Sequence, residues 1–137
     1  MKKVGVLLIV LLICIIITAV IIWRIAKINT NFATSITIRY YYADENIEHV
    51  ISDADDIDKL KAIFNGFAWQ DSPACGFSLD VSVTFEGNNE KLILCPAYDG
   101  DPIIRIGETG RYMGISDDAR KMMNNILEKY GMVFTCV

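Results

Sequence analysis

Asp53, Asp55, Asp56 and Asp58 fall within six consecutive positions and form the densest set of potential metal ligands in the chain. Calcium takes clustered oxygens, and its twelve-residue loop needs an acceptor at the fifth position, glycine at the sixth and glutamate at the twelfth. Counted from Asp53, those places hold Ile57, Asp58 and Phe64. The pattern fails. Ile57, Leu60, Ile63, Phe64 and Phe67 recur at helical spacing just behind the acids, and carboxylates there satisfy the unpaired amides and the positive dipole of a helix start. The cluster is read as a cap. Asp99 and Asp101 offer two more carboxylates, but Tyr98-Asp99-Gly100-Asp101-Pro102 has the composition of a tight turn.

Nucleophilic and redox chemistry finds little more. His49 is the single histidine, so zinc would need cysteine and carboxylate ligands, and no Cys-x-x-Cys spacing begins such a site. A Cys–His pair is formally available, yet no cysteine sits at a helix N-terminus or in another setting that lowers its pKa. Serine elbows, phosphate loops and glycine-rich dinucleotide turns are missing from the sequence. No catalytic residue, cofactor or metal is expected. Cys75, Cys95 and Cys136, the three cysteines beyond the apolar N-terminal run, leave at least one thiol unpaired within the chain. Their pairing is left open.

Tyr40, Tyr41 and Tyr42 are the candidate partner-binding residues. Three successive rings on a strand cannot all face inward, so Tyr41 is expected on the opposite side of the sheet, where aromatic surface serves protein recognition.

The elements that position these residues begin with a run of twenty, Val4 to Trp23, that holds no charged side chain and is flanked by Lys2, Lys3, Arg24 and Lys27. A helix of that length spans about 30 Å, the thickness of a hydrocarbon core. The run is long for a signal peptide, and the nearest small-residue cleavage candidates, Ala26 and Ala33, lie beyond two cations. Cys14 is embedded in branched apolar residues rather than placed after a small one, so it reads as membrane-facing and not lipidated. An uncleaved anchor is expected, with a cytoplasmic N-terminus, the C-terminal domain outside the cytoplasm, and Trp23 at the interface. Residues 1–28 are assigned to a transmembrane signal anchor, 29–35 to a polar linker and 36–137 to one extracytoplasmic domain.

Beyond residue 30 the chain has seventeen acidic against nine basic residues, a net charge of −8. Such a domain is repelled by phosphate, which excludes nucleic acid and disfavours anionic headgroups as partners.

Ile36 to Tyr42 alternates with period two and predicts a strand; Asp44-Glu45-Asn46 reads as a turn and Ile47 to Ile51 as a short extended piece. A helix follows Asp53. Gln70-Asp71-Ser72-Pro73 opens a loop through Cys75-Gly76, and alternation then resumes from Leu79 to Phe85. A two-residue turn at Asn88-Asn89 sets Glu86 opposite Lys91, Phe85 opposite Leu92 and Val83 opposite Leu94. Asparagine tolerates the positive φ such turns require. In that register a Cys75–Cys95 bridge would need the loop of the seventies to fold back over the sheet. A second hairpin spans Ile103 to Ile115. Ser116 then caps a helix with an apolar stripe of Ala119, Met122, Met123, Ile126, Leu127 and Tyr130, closed by Gly131. The expected fold is α+β: the membrane helix, then a two-layer domain with an antiparallel sheet and two helices in the order β-α-β-β-β-β-α.

Cys75-Gly76-Phe77, Cys95-Pro96-Ala97-Tyr98-Asp99-Gly100 and Ile126-Leu127-Glu128-Lys129-Tyr130-Gly131 together resemble small membrane-anchored proteins of Gram-positive bacteria that carry no assigned function. The resemblance spans residues 36–136. It implies an exported α+β domain and brings no activity, substrate or site residue.

The expected function is a single-pass membrane protein, held in the bilayer by residues 4–23, whose domain binds a protein or cell-envelope partner without catalysis. Two alternatives are a cysteine-dependent redox or other enzyme at the membrane surface, and a structural subunit of a membrane complex whose specificity lies in the helix.

Overall fold

The Asn88-Asn89 turn organises the centre of the sheet. Both residues take positive φ, 50° and 62°, as a two-residue primed turn demands. Between β5 (Ser82–Gly87) and β6 (Glu90–Pro96) it pairs Glu86 with Lys91, Phe85 with Leu92 and Val83 with Leu94. The Lys91 ammonium lies 2.7 Å from the Glu86 carboxylate. Strand β5 begins at Ser82 rather than Leu79, because the Ser82 hydroxyl donates to the Leu79 carbonyl at 2.9 Å and turns the chain there.

The computed structural model describes residues 2–134; Thr135, Cys136 and Val137 lie outside the described residues, as do the side chains of residues 2–4 and of Trp23. An apolar helix, α1 (Lys2–Arg24), opens the chain. Its Gly5–Ile22 portion is unburied throughout and is long and apolar enough to cross a membrane, a test that a signal sequence also passes. The Thr18 hydroxyl donates to the Cys14 carbonyl at 2.8 Å, which satisfies the polar group that would be costly in lipid.

After α1 come β1 (Ile25–Ile28), β2 (Ser35–Tyr42), β3 (Glu45–Ile51), α2 (Ala54–Phe64), β4 (Gly66–Gln70), then β5 and β6, β7 (Ile103–Ile106), β8 (Arg111–Gly114) and α3 (Asp117–Lys129). The strands form one antiparallel sheet in the order β1-β4-β8-β7-β6-β5-β2-β3. Helices α2 and α3 touch each other. Leu60 and Phe64 from α2, with Met123, Ile126 and Leu127 from α3, join Ile36, Ile38, Val83, Phe85, Leu94, Ile104 and Met113 of the sheet in one core. Phe64 meets Phe85 edge-on at 5.4 Å between ring centroids, worth about 0.5–1.5 kcal/mol beyond area burial.

The α+β class holds, but the expected order undercounts the strands. Strand β3 was expected only as an extended piece; it pairs with β2 along its length through a tight turn at Ala43-Asp44, one residue earlier than Asp44-Glu45-Asn46. The α2 helix stops at Phe64, and residues expected as helix end and loop form β4. The structure adds detail around residues 28 and 35. Helix α1 ends at Arg24, and Ile25–Ile28 pairs with β4. Residues 29–34 are part of the folded unit. The Thr30 amide donates to Asn65 Oδ1 at 2.7 Å and its hydroxyl to the Lys61 carbonyl at 3.0 Å. Ala33 is buried and the Thr34 amide donates to Glu86. A polar composition misled here because Thr30 is buried with its hydroxyl and amide both bonded to the α2–β4 junction, while Asn29, Asn31 and Thr34 stay exposed.

The helix caps follow the sequence. Asp53 accepts the amides of Asp55 and Asp56 at 3.0 and 3.2 Å, and Ser116 accepts that of Ala119 at 3.2 Å. Asp56 does more than its position suggests. It is buried, and it accepts Lys129 Nζ at 2.7 Å and the Tyr130 hydroxyl at 2.9 Å, tying the start of α2 to the end of α3.

Candidate aromatic groove and cysteine–carboxylate cluster

Strand β2 outruns its neighbour. Its register with β5 covers Ser35–Arg39, so Tyr40, Tyr41 and Tyr42 are paired to β3 alone among the described residues. Tyr40 continues the inward face of Ile36 and Ile38 and is buried; its hydroxyl donates to the Tyr130 carbonyl at 3.3 Å. Tyr42, expected inward with it, is 68% exposed because the core ends before it, and Tyr41 on the other face is 55% exposed. Together with Val81, Tyr98 and the Gly131–Phe134 segment that leaves α3, these three tyrosines line a groove of about 420 Å³. Tyr98 and Val133, on its wall, are exposed too.

The groove's shape depends on how α3 ends. Gly131 takes φ +91°, donates its amide to Glu128, and lets Met132 donate to Leu127 at 3.1 Å. This is the helix-ending geometry that glycine favours. It turns the chain across Tyr40, and a Cβ at Gly131 would collide with the Tyr40 hydroxyl. The signal was legible as a glycine after a helix. Its contact with the tyrosines was not, since ninety positions separate Tyr40 from Tyr130.

A second cluster brings together residues weighed separately in the sequence. The loop of the seventies does fold back over the sheet: Phe77 packs on Tyr112 at 5.3 Å and under the Arg105 guanidinium at 5.7 Å, and Gly76 accepts the Tyr98 amide at 3.2 Å. Cys75 is carried to the Asp99-Gly100-Asp101 turn rather than to Cys95. Its thiol donates to Asp101 Oδ2 at 2.8 Å. One sulfur and two carboxylates lie there within 4.8 Å of one another, a set that could hold a metal ion. The electrostatics favour the protonated thiol, however. The hydrogen bond to Asp101, some desolvation and the charges of Asp99 and Asp101 push Cys75 up to about 11. Burial also raises Cys95, partly offset by Arg105. Among the described residues, Cys14, Cys75 and Cys95 are free thiols. His49 lies on β3, its ring stacked near Tyr40 at 6.1 Å, and is not among the cysteine and carboxylate groups of this cluster.

These features define an α+β protein with an apolar N-terminal helix and an aromatic groove at the end of β2. Comparison with protein-family models, curated proteins and solved structures found no match.

Proposed function

We propose that this chain is a single-pass membrane protein whose extracytoplasmic domain binds a protein partner, without catalysis, through the groove lined by Tyr40, Tyr41 and Tyr42. The observation that carries the reading is the conjunction of that groove with an unpaired stretch of strand edge at Tyr40–Tyr42. Main-chain amides and carbonyls on such an edge accept an extended segment, and flanking pockets select its side chains. Tyrosine offers large apolar area with a polar tip, the profile of residues that dominate interface energies. The occupant is therefore an extended segment of an envelope protein with apolar residues at alternate positions. The raised Cys75 pKa speaks against the cysteine-enzyme alternative, because the thiolate is the reactive species.

Co-isolation from solubilised membranes tests this. Full-length chain should retain one partner that the Tyr41→Ser/Tyr42→Ser variant loses while keeping its unfolding midpoint. Equal retention by a correctly folded double variant would remove the groove from the account.

A further inference from the structure

The outer face of β1 and β4, the face turned away from the two helices, carries a second aromatic surface. Ile25 pairs with Trp69 and Lys27 with Phe67, while Ala26, Ile28 and Ala68 alternate inward. Ile25 is 45% exposed, Phe67 60% and Trp69 43%. Trp69 in turn faces Tyr112 of β8, and its ring lies against Gly114, 3.5 Å from where a Cβ would stand. Its indole N–H donates to Asp71 at 3.4 Å, so the polar edge has a partner while the ring remains open.

The surface is continuous with the apolar helix. No residue intervenes between Arg24, the last of α1, and Ile25, the first of β1. If the uncharged run fills a hydrocarbon core of about 30 Å, Ile25 stands only ~3 Å beyond it. Trp69, directly across an antiparallel pair, is then within ~5 Å of Ile25 and inside the headgroup layer. Cations flank the patch at Arg24 and Lys27, and Asp71, whose charge is engaged by the Trp69 indole N–H, is the acid at its edge; the densest acidic stretches lie elsewhere, at Asp53–Asp58, Asp99–Asp101 and Asp117-Asp118. Indole and phenyl rings bounded by lysine and arginine are the side chains that the bilayer interface favours.

We propose that the Ile25–Phe67–Trp69 face docks on the membrane surface, seating in the interfacial layer of the bilayer that α1 crosses and fixing how the domain stands on it. The occupant is a lipid interface of neutral headgroups, consistent with the net acidity of the domain. This rests on the membrane-anchor reading, and the test separates the two.

The chain has two tryptophans, so full-length Trp23→Phe protein reports Trp69 alone and Trp69→Phe protein reports Trp23 alone. Both are reconstituted in phosphatidylcholine vesicles containing lipid spin-labelled at a shallow or a deep acyl position. Trp69 should be quenched by the shallow label about twofold more than by the deep one. Adding Ile25→Ser and Phe67→Ser should abolish that quenching, while Val133→Ser in the groove leaves it intact. Quenching of Trp23 with none of Trp69 overturns the docking and leaves the anchor standing. Trp69 quenching that survives the paired serine substitutions also overturns it, since proximity to the helix would then suffice. If neither tryptophan is quenched, anchor and docking both fall.

Discussion

Gly131→Ala probes the point where helix ending and groove meet. Alanine at φ +91° bears the left-handed penalty of about 1–2 kcal/mol. Its Cβ also collides with the Tyr40 hydroxyl, and displacing that hydroxyl from the Tyr130 carbonyl forfeits about 0.5–1.5 kcal/mol. The expected total is roughly 2–3 kcal/mol, a fall of about 1–2 M in urea midpoint. Tyr40→Phe alone loses only the hydrogen bond, about 0.5–1 kcal/mol, since the bond is long at 3.3 Å. In the double variant the oxygen is gone and the ring carbon behind it sits 3.3 Å from the new methyl, a tight but tolerable approach. Only the backbone penalty then remains on the glycine side. The double variant should therefore be less destabilised than the sum of the singles by about 1 kcal/mol, the sign of a shared contact. Urea unfolding of full-length protein in detergent micelles, followed by near-ultraviolet circular dichroism of the tyrosines, measures all four corners. Additive singles, or a Gly131→Ala cost below about 0.5 kcal/mol, would refute the packing described between α3 and β2.

Other outcomes follow from the same geometry. Lys129 is raised above its ordinary value by Asp56 first and then Asp53, and Asp53 is lowered mainly by the Asp56 amide and by Lys129. A raised lysine stabilises fully below its unfolded pKa and loses that as pH climbs through the folded value; a lowered aspartate stabilises above its unfolded pKa and loses that on acidification. The stability gap between wild type and Lys129→Met should thus be level through neutrality and close below about pH 4 and above about pH 10. Asp101→Asn removes the largest cause of the raised Cys75 pKa, so maleimide labelling of Cys75 at pH 8 should speed up by roughly tenfold or more; an unchanged rate would mean the thiol is not held by Asp101. At the β5–β6 turn, where Asn89 has φ 62°, Asn89→Gly should be neutral or stabilising and Asn89→Ala should cost about 1 kcal/mol by chemical denaturation.

Local rules reached much of this fold. The β5–β6 register was legible because one offset alone paired Glu86 with Lys91 and placed asparagines at positive φ, and α3 was legible because its cap, stripe and terminal glycine agree. Strand β1 was hidden because Ile25–Ile28 is only four residues long, lies among the flanking cations Arg24 and Lys27, and has an inward alternation only two residues deep, Ala26 and Ile28. Strand β4 was hidden because Phe67 also fits the helical spacing of α2, although the helix ends at Phe64 and Gly66 begins the strand. For the sites, the tyrosine run stood out as composition, yet the wall opposite it comes from Gly131–Phe134. Cys75 and Asp101 were visible singly, and only the fold-back of the Phe77 loop onto Arg105 and Tyr112 brings them together.

The most direct measurement is photocrosslinking from the groove in intact membranes. With a photoreactive phenylalanine analogue at Tyr42 of the full-length chain, the account predicts one discrete protein adduct that disappears with Gly131→Ala or Tyr41→Ser. The same analogue at Asn88, on the β5–β6 turn, should give none. Adducts of equal yield at both positions, or an adduct at Tyr42 indifferent to the groove substitutions, would contradict it.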